Sequence, residues 1–294
     1  VPRCRRQCAK SAESLRDLPG PLAPLLLPGS YDNQDPRVIV GMPSPSSGLS
    51  RRLIVLALLT GTWLVLRQQF QKPPTVEPLS AGVASAPIQL AGLPDFLEIG
   101  VANQRLVLDV LAQNDRQWQP RLVVNHQGLQ EYTYRQRPGA PELSLQDIQA
   151  LLRSPPDYTS DVESIKNLLS ALDRYGVTVV IAEPNRIGAS GEWNPRRGEM
   201  RISHLVVKRG TQAFRRVLNH EAIHTAQSCA GGSIRSLPKP LGLPRRLDTT
   251  AIRYLQSEIY ADLTSIDRRL EEEAYANQED PEIGALLLKV HCRS

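Results

Sequence analysis

The chain is 294 residues long, 41% hydrophobic and 22% charged. That is enough for a sizeable core and too ordinary for a fibrous or wholly disordered protein. Its net charge of +5 lies ahead of residue 95. Residues 1–41 hold six basic against four acidic groups, and residues 42–94 hold Arg51, Arg52, Arg67 and Lys72 against Glu77. Residues 95–294 are therefore neutral, without the basic footprint of a nucleic-acid binder, and no nucleic-acid partner is expected.

Leu53 to Leu66 is an uncharged apolar run between Arg51-Arg52 and Arg67. As a helix it spans about 21 Å, short of the roughly 30 Å hydrocarbon layer. The flanking arginines extend the usable length by snorkelling. No small-x-small cleavage site follows closely, which favours an uncleaved signal anchor over residues 51–70. The excess of positive charge before it places the N-terminus in the cytoplasm and the large domain in a periplasm or lumen. Residues 1–50 read as a disordered tail. An export-signal layout beginning at Met42 makes residues 1–41 either part of that tail or an over-extension of the reading frame. Residues 71–94, rich in Pro, Ala and Ser, read as a linker.

The remainder, 95–294, is expected to be one α+β domain. Residues 96–140 show no decisive period. Ser144 to Arg153 reads as a short helix stopped by Pro155-Pro156. A second helix starts near Thr159, Ser160 or Asp161, presents Val162, Ile165, Leu168, Leu169 and Leu172, and stops at Gly176. Val177 to Ile181 predicts a buried strand, Gly188 to Gly198 a turn-rich stretch, and Glu199 to Val207 a second strand at a sheet edge. Helices follow over 212–228, 249–278 and 283–290. Cys229 and Cys292 either pair, as in an extracytoplasmic domain, or stay as buried thiols.

The 212–228 helix contains His220-Glu221-Ala222-Ile223-His224. Residues four apart on a helix share a face, so both imidazoles can bind one ion. Glu221, one step round, reaches a water on that ion without ligating it and can act as its base. The histidines at 204 and 291 have no partner spacing and read as structural.

The stretch His220 to Cys229, followed by Glu273-Ala-Tyr-Ala-Asn-Gln278, resembles the gluzincin-type zinc metallopeptidase superfamily, and more closely its membrane-anchored members found in cyanobacteria. The resemblance covers roughly residues 177–294. It implies a zincin fold, in which a short sheet, the motif helix and C-terminal helices stand behind the single-span anchor. It also implies one Zn2+, held by His220, His224 and a later glutamate, with Glu221 as catalytic base.

Two segments fit the superfamily's ligand pattern: Glu258-Ile-Tyr-Ala-Asp262 and Glu273-Ala-Tyr-Ala-Asn277. With 249–278 taken as one helix, Ile252, Leu255, Ile259, Leu263, Ile266, Leu270 and Ala274 form the buried stripe. Glu273 lies about 60° from its centre and Glu258 about 120°. Glu273 is therefore the expected third ligand and Glu258 the alternative, with Asn277 or Asp262 as the orienting neighbour. Glu271 and Glu272 are expected to be solvated. Tyr260 and Tyr275 read as packing residues able to donate to an intermediate.

The expected function is a membrane-tethered zinc peptidase acting on protein or peptide substrates, which the Glu199–Val207 strand would pair with in extended form. The alternatives are a zinc-binding assembly factor without turnover and a hydrolase of non-peptide amides or esters.

Overall fold

The computed structural model describes residues 37–40, 93–124, 128–137, 140–261 and 263–293. Among them no helix is long and apolar enough to cross a membrane; the anchor expected over 51–70 and the linker over 71–92 lie outside the described residues.

The described residues form an α+β structure with two sheets. A four-stranded mixed sheet holds β2 (Leu97–Ile99), β5 (Thr178–Ile181), β7 (Glu199–Ile202) and β6 (Gly191–Asn194), in that order. β5 pairs parallel with β7, while β2 and β6 pair antiparallel on the two outer sides. A smaller sheet has β4 (Gln130–Tyr134) between β1 (Arg37–Val40) and β3 (Arg121–Val124). β1 falls in the segment expected to be a disordered tail, yet it pairs antiparallel with β4 from Arg37 opposite Tyr134 to Val40 opposite Glu131.

A helix lies in the 96–140 stretch that showed no decisive period, and two form where the apolar spacing and caps predict. α1 (Gln104–Arg116) buries Val107, Leu111, Asn114 and Asp115 along one face. α2 (Leu145–Arg153) starts on a Ser144–Asp147 capping box. It covers the small sheet by placing Ile148 against Tyr132 and Tyr134. α3 (Thr159–Arg174) buries Ile165, Leu168, Leu169 and Leu172, and Gly176 follows at φ 72°, a left-handed stop that glycine takes without strain.

The predicted second strand is half right. Glu199 to Ile202 is strand, but Ser203 accepts the Leu205 N–H and starts the short helix α4 (His204–Lys208). β7 is also an inner strand; the edge is β6, which sits inside the stretch read as turns. Its residues Gly-Glu-Trp-Asn lack the β-branched signal, and burial against the next helix makes them a strand instead.

That helix, α5 (Thr211–Ala230), is the axis of the main core and is buried on nearly every face. β6 lies on one side of it, with Trp193 fully buried and its Nε1–H donated to Ser228 Oγ at 3.0 Å. α3, α7 (Ser265–Asn277) and α8 (Ile283–His291) enclose the others. Cys229 at its end is bonded to Cys292 after α8.

The single long helix expected over 249–278 is instead three pieces. Asp248 caps α6 (Thr249–Leu255), a single 3-10 turn spans Glu258–Tyr260, and Thr264 with Asp267 makes a capping box that starts α7 afresh. Each restart resets the angular phase. Ile252 and Ile266, both assigned to the buried stripe, are 42% and 56% exposed.

The start of α5 is held from elsewhere in the chain. Gly210 stands before it at φ 94°, and a Cβ there would collide with the Asp115 carboxylate. That carboxylate, carried by α1, accepts the Thr211 N–H at 3.1 Å and the Thr211 hydroxyl at 2.6 Å. It thus caps α5 from 96 residues away. Asp115→Ala leaves these buried donors unpaired and should cost about 1–3 kcal/mol, read as a lower urea midpoint with an unchanged slope.

Candidate metal centre

Because α5 brings residues four apart onto neighbouring turns, the His220 and His224 rings face each other with Nε2 atoms 3.0 Å apart. The third group is Glu271 of α7. Its Oε2 lies 3.4 Å from His220 Nε2 and its Oε1 lies 3.4 Å from His224 Nε2. Two ligands at about 2.0–2.1 Å from a tetrahedral ion stand about 3.3 Å apart, so these spacings fit a shared ion. At 3.4 Å they are too long for good hydrogen bonds between the groups themselves.

The expected third ligands are placed otherwise. Glu273 is buried but turned away: its carboxylate accepts the N–H groups of Leu241, Gly242 and Leu243 and the Gln227 amide, at 2.8 to 3.2 Å. Glu258 is exposed on the 3-10 turn. Asp262 lies outside the described residues, and Asn277 donates to Pro244 O and Glu273 O. Glu271, expected in solvent, is fully buried. The error came from the phase: the 100° count ran through a chain that restarts at Thr264. The signal overlooked was Thr264-Ser-Ile-Asp267, a capping-box spacing that resets the face. Counted from there, Leu270 and Ala274 point inward, with Glu271 and Tyr275 each one step beyond, toward α5.

The outer ring nitrogens decide which atoms are offered. His224 Nδ1 lies 2.8 Å from Gln227 Oε1, and His220 Nδ1 lies 3.1 Å from Gln278 Oε1. Gln227 Nε2 donates to Leu270 O and to Glu273, which leaves its Oε1 as an acceptor. The proton of His224 must then sit on Nδ1, and Nε2 presents its lone pair to the centre. Glu273 therefore acts one bond further out, by holding Gln227. Gln278 is positioned in turn by Arg215 and Asn219 of α5, both of which donate to its carbonyl.

Glu221 stands beside the pair, against β6. A Cβ on Gly191 would lie 2.7 Å from Glu221 Oε1, so only glycine lets the strand and this carboxylate approach. Both oxygens of Glu221 and both of Glu271 are buried without a hydrogen-bond partner.

Electrostatics show the strain of leaving them so. Burial, helped by Glu271 and Glu192, raises the pKa of Glu221 to about 8, against His224 and a nearby Trp193 N–H that does not reach hydrogen-bond geometry. Burial likewise opposes a charged His224, but Glu271 and Glu221 outweigh it and raise that ring to about 9. His220 is held low by burial. Burial works against the Glu271 anion, yet the two imidazoles together keep it below the usual carboxylate range. Two anionic carboxylates and two neutral imidazoles would sum to −2, the charge that one divalent cation balances. Four orphaned buried oxygens and three convergent ligand atoms thus fit a metal ion, and among the described residues this is the group that can hold one.

Of the other residues considered, His204 is structural, with Nε2 3.0 Å from Pro94 O. Tyr275 packs its ring edge-on to His220 at 4.7 Å and meets the Tyr260 hydroxyl at 2.9 Å.

No protein-family model, no curated protein and no solved structure matches this chain.

Removing each carboxylate separates their roles. Glu271→Ala should abolish stoichiometric metal binding, measured by metal analysis after dialysis. Glu258→Ala should leave it intact. Glu273→Ala should retain the metal with about 10–100-fold weaker affinity, the usual loss for a group that supports a ligand. Loss of metal in Glu258→Ala with retention in Glu271→Ala would refute the assignment.

Proposed function

We propose that this chain is a zinc-dependent peptidase of the gluzincin type, with His220, His224 and Glu271 as ligands and Glu221 as the base. The observation that carries the reading is Glu221 itself: a carboxylate without a hydrogen-bond partner, set beside three convergent ligand atoms. A site built only to hold an ion needs no such group. Two nitrogens and one carboxylate oxygen at tetrahedral spacing suit zinc, and three protein ligands leave a fourth position open.

When bound, the ion polarises a water and the scissile carbonyl. The chain's own residues supply the rest. Glu221 takes the proton of the attacking water and delivers it to the departing amine. Gln227 and Gln278 keep both imidazoles in the tautomer that leaves Nε2 free. β6 offers the place for a peptide. Ser203 N–H donates to Ser190 O, and antiparallel pairs alternate, so Gly191 and Trp193 turn their backbone N–H and C=O groups away from β7. An extended substrate can add there as a further strand, next to Glu221. This edge takes the role first expected of the Glu199–Val207 strand.

Tethering through residues 51–70, with the domain in a periplasm or lumen, belongs to the same proposal. The Cys229–Cys292 bond supports it, because such bonds persist in oxidising compartments.

A second reading is a metal-binding or assembly protein without turnover. It is favoured by the complete burial of His220, Glu221, His224 and Glu271, since closed sites are common among structural metals. The two separate on one comparison. The peptidase should hold one zinc per chain and cleave casein or a peptide library. Glu221→Gln should keep the zinc and lose about 10²–10⁴-fold in rate. Full zinc without any Glu221-dependent cleavage would establish the silent protein instead. Gly191→Ala should also keep the zinc, yet lose at least about tenfold in rate, because its methyl displaces Glu221 from the strand.

A further inference from the structure

The metal ligands and Glu221 are sealed: all four have no exposed surface. A peptide cannot reach them unless some part of the wall moves, so the question is which part is built to do so.

Most of the wall is anchored. α5 is the core axis, α7 starts on a full capping box, and β6 is held by β7 and by the Trp193–Ser228 bond. The exception is the 3-10 turn Glu258–Tyr260. Its flanks Gln256, Glu258, Ala261 and Thr264 are exposed, while Tyr260 is driven inward to zero exposure. The turn has no side-chain cap of its own. α6 and α7 on either side carry separate caps, at Asp248 and at Thr264 with Asp267. The turn can therefore shift without unwinding either helix.

Tyr260 is also one side chain away from the centre. Its hydroxyl meets that of Tyr275, the residue packed on His220, at 2.9 Å. Its proton is held well above the usual tyrosine range by burial, Glu271, Tyr275 and Glu221.

We propose that Tyr260 is a gate: with the turn inward the centre is latent, and outward movement of Tyr260 opens the centre to an extended peptide. The proposal rests on the peptidase reading of the same centre, and its test does not depend on cleavage.

The test is the rate at which excess 4-(2-pyridylazo)resorcinol strips zinc from the loaded full chain, compared with Tyr260→Ala and Tyr260→Phe. A minor open state is populated at about 0.1–10%, so removing the gate should speed stripping by about tenfold or more. Tyr260→Phe, which keeps the ring but loses its hydroxyl bond, should give a smaller acceleration. Asp115→Ala, destabilised away from the centre, should strip like the parent chain. An unchanged rate in Tyr260→Ala overturns the gate, as does equal acceleration in Asp115→Ala at matched loss of melting temperature. Should Tyr260→Ala not fold, an unchanged rate in a folded Tyr260→Phe overturns it. A quenched-peptide library completes the comparison. Faster stripping without cleavage by any variant keeps the gate and removes the peptidase; cleavage by the parent chain with equal stripping in all variants does the reverse.

Discussion

Two imidazoles and two carboxylates share a fully buried volume, and the arrangement of the C-terminal half follows from that. Buried carboxylates are costly unless paired, and Glu221 and Glu271 have no hydrogen-bond donors. The polar residues around them are committed to other tasks. Gln227 and Gln278 fix the tautomers, Glu273 holds Gln227, and Arg215 and Asn219 hold the turn that carries Gln278. The structure spends its hydrogen bonds on orienting ligands and leaves the charge itself for a cation to neutralise.

Rigid and yielding parts are divided accordingly. α5 is clamped at one end by Asp115 and tied at the other to α8 through Cys229 and Cys292. The ligand spacing is therefore set by the most anchored element in the chain. The 3-10 turn with Tyr260 lies between two separately capped helices, so it can shift without unwinding either.

The sequence was most legible where the information is local. The helix carrying His220, Glu221 and His224, the helices on either side of Pro155-Pro156 and the strand at 178–181 all depend on spacing within a few turns or on a neighbouring cap, and the structure has each. Glu199–Val207 failed at its second half because Ser203 caps a helix there. β6 was missed because Gly-Glu-Trp-Asn becomes a strand through burial against α5, which no local propensity records. Glu273 was preferred to Glu271 because helical phase was carried across Gln256 to Thr264, where the chain bends and starts again.

The amino-acid order alone determined that two imidazoles share one helix face with a carboxylate one step round, since four residues make about a turn in any surroundings. Which carboxylate completes the set was decided by tertiary structure, because the choice between Glu271 and Glu273 is a rotation of α7 fixed by a cap and by packing on α5. The same holds for the partner of Cys229, for the edge position of β6 and for the complete burial of the centre. Each is a contact between segments distant in the chain, and sequence spacing carries no measure of such distances.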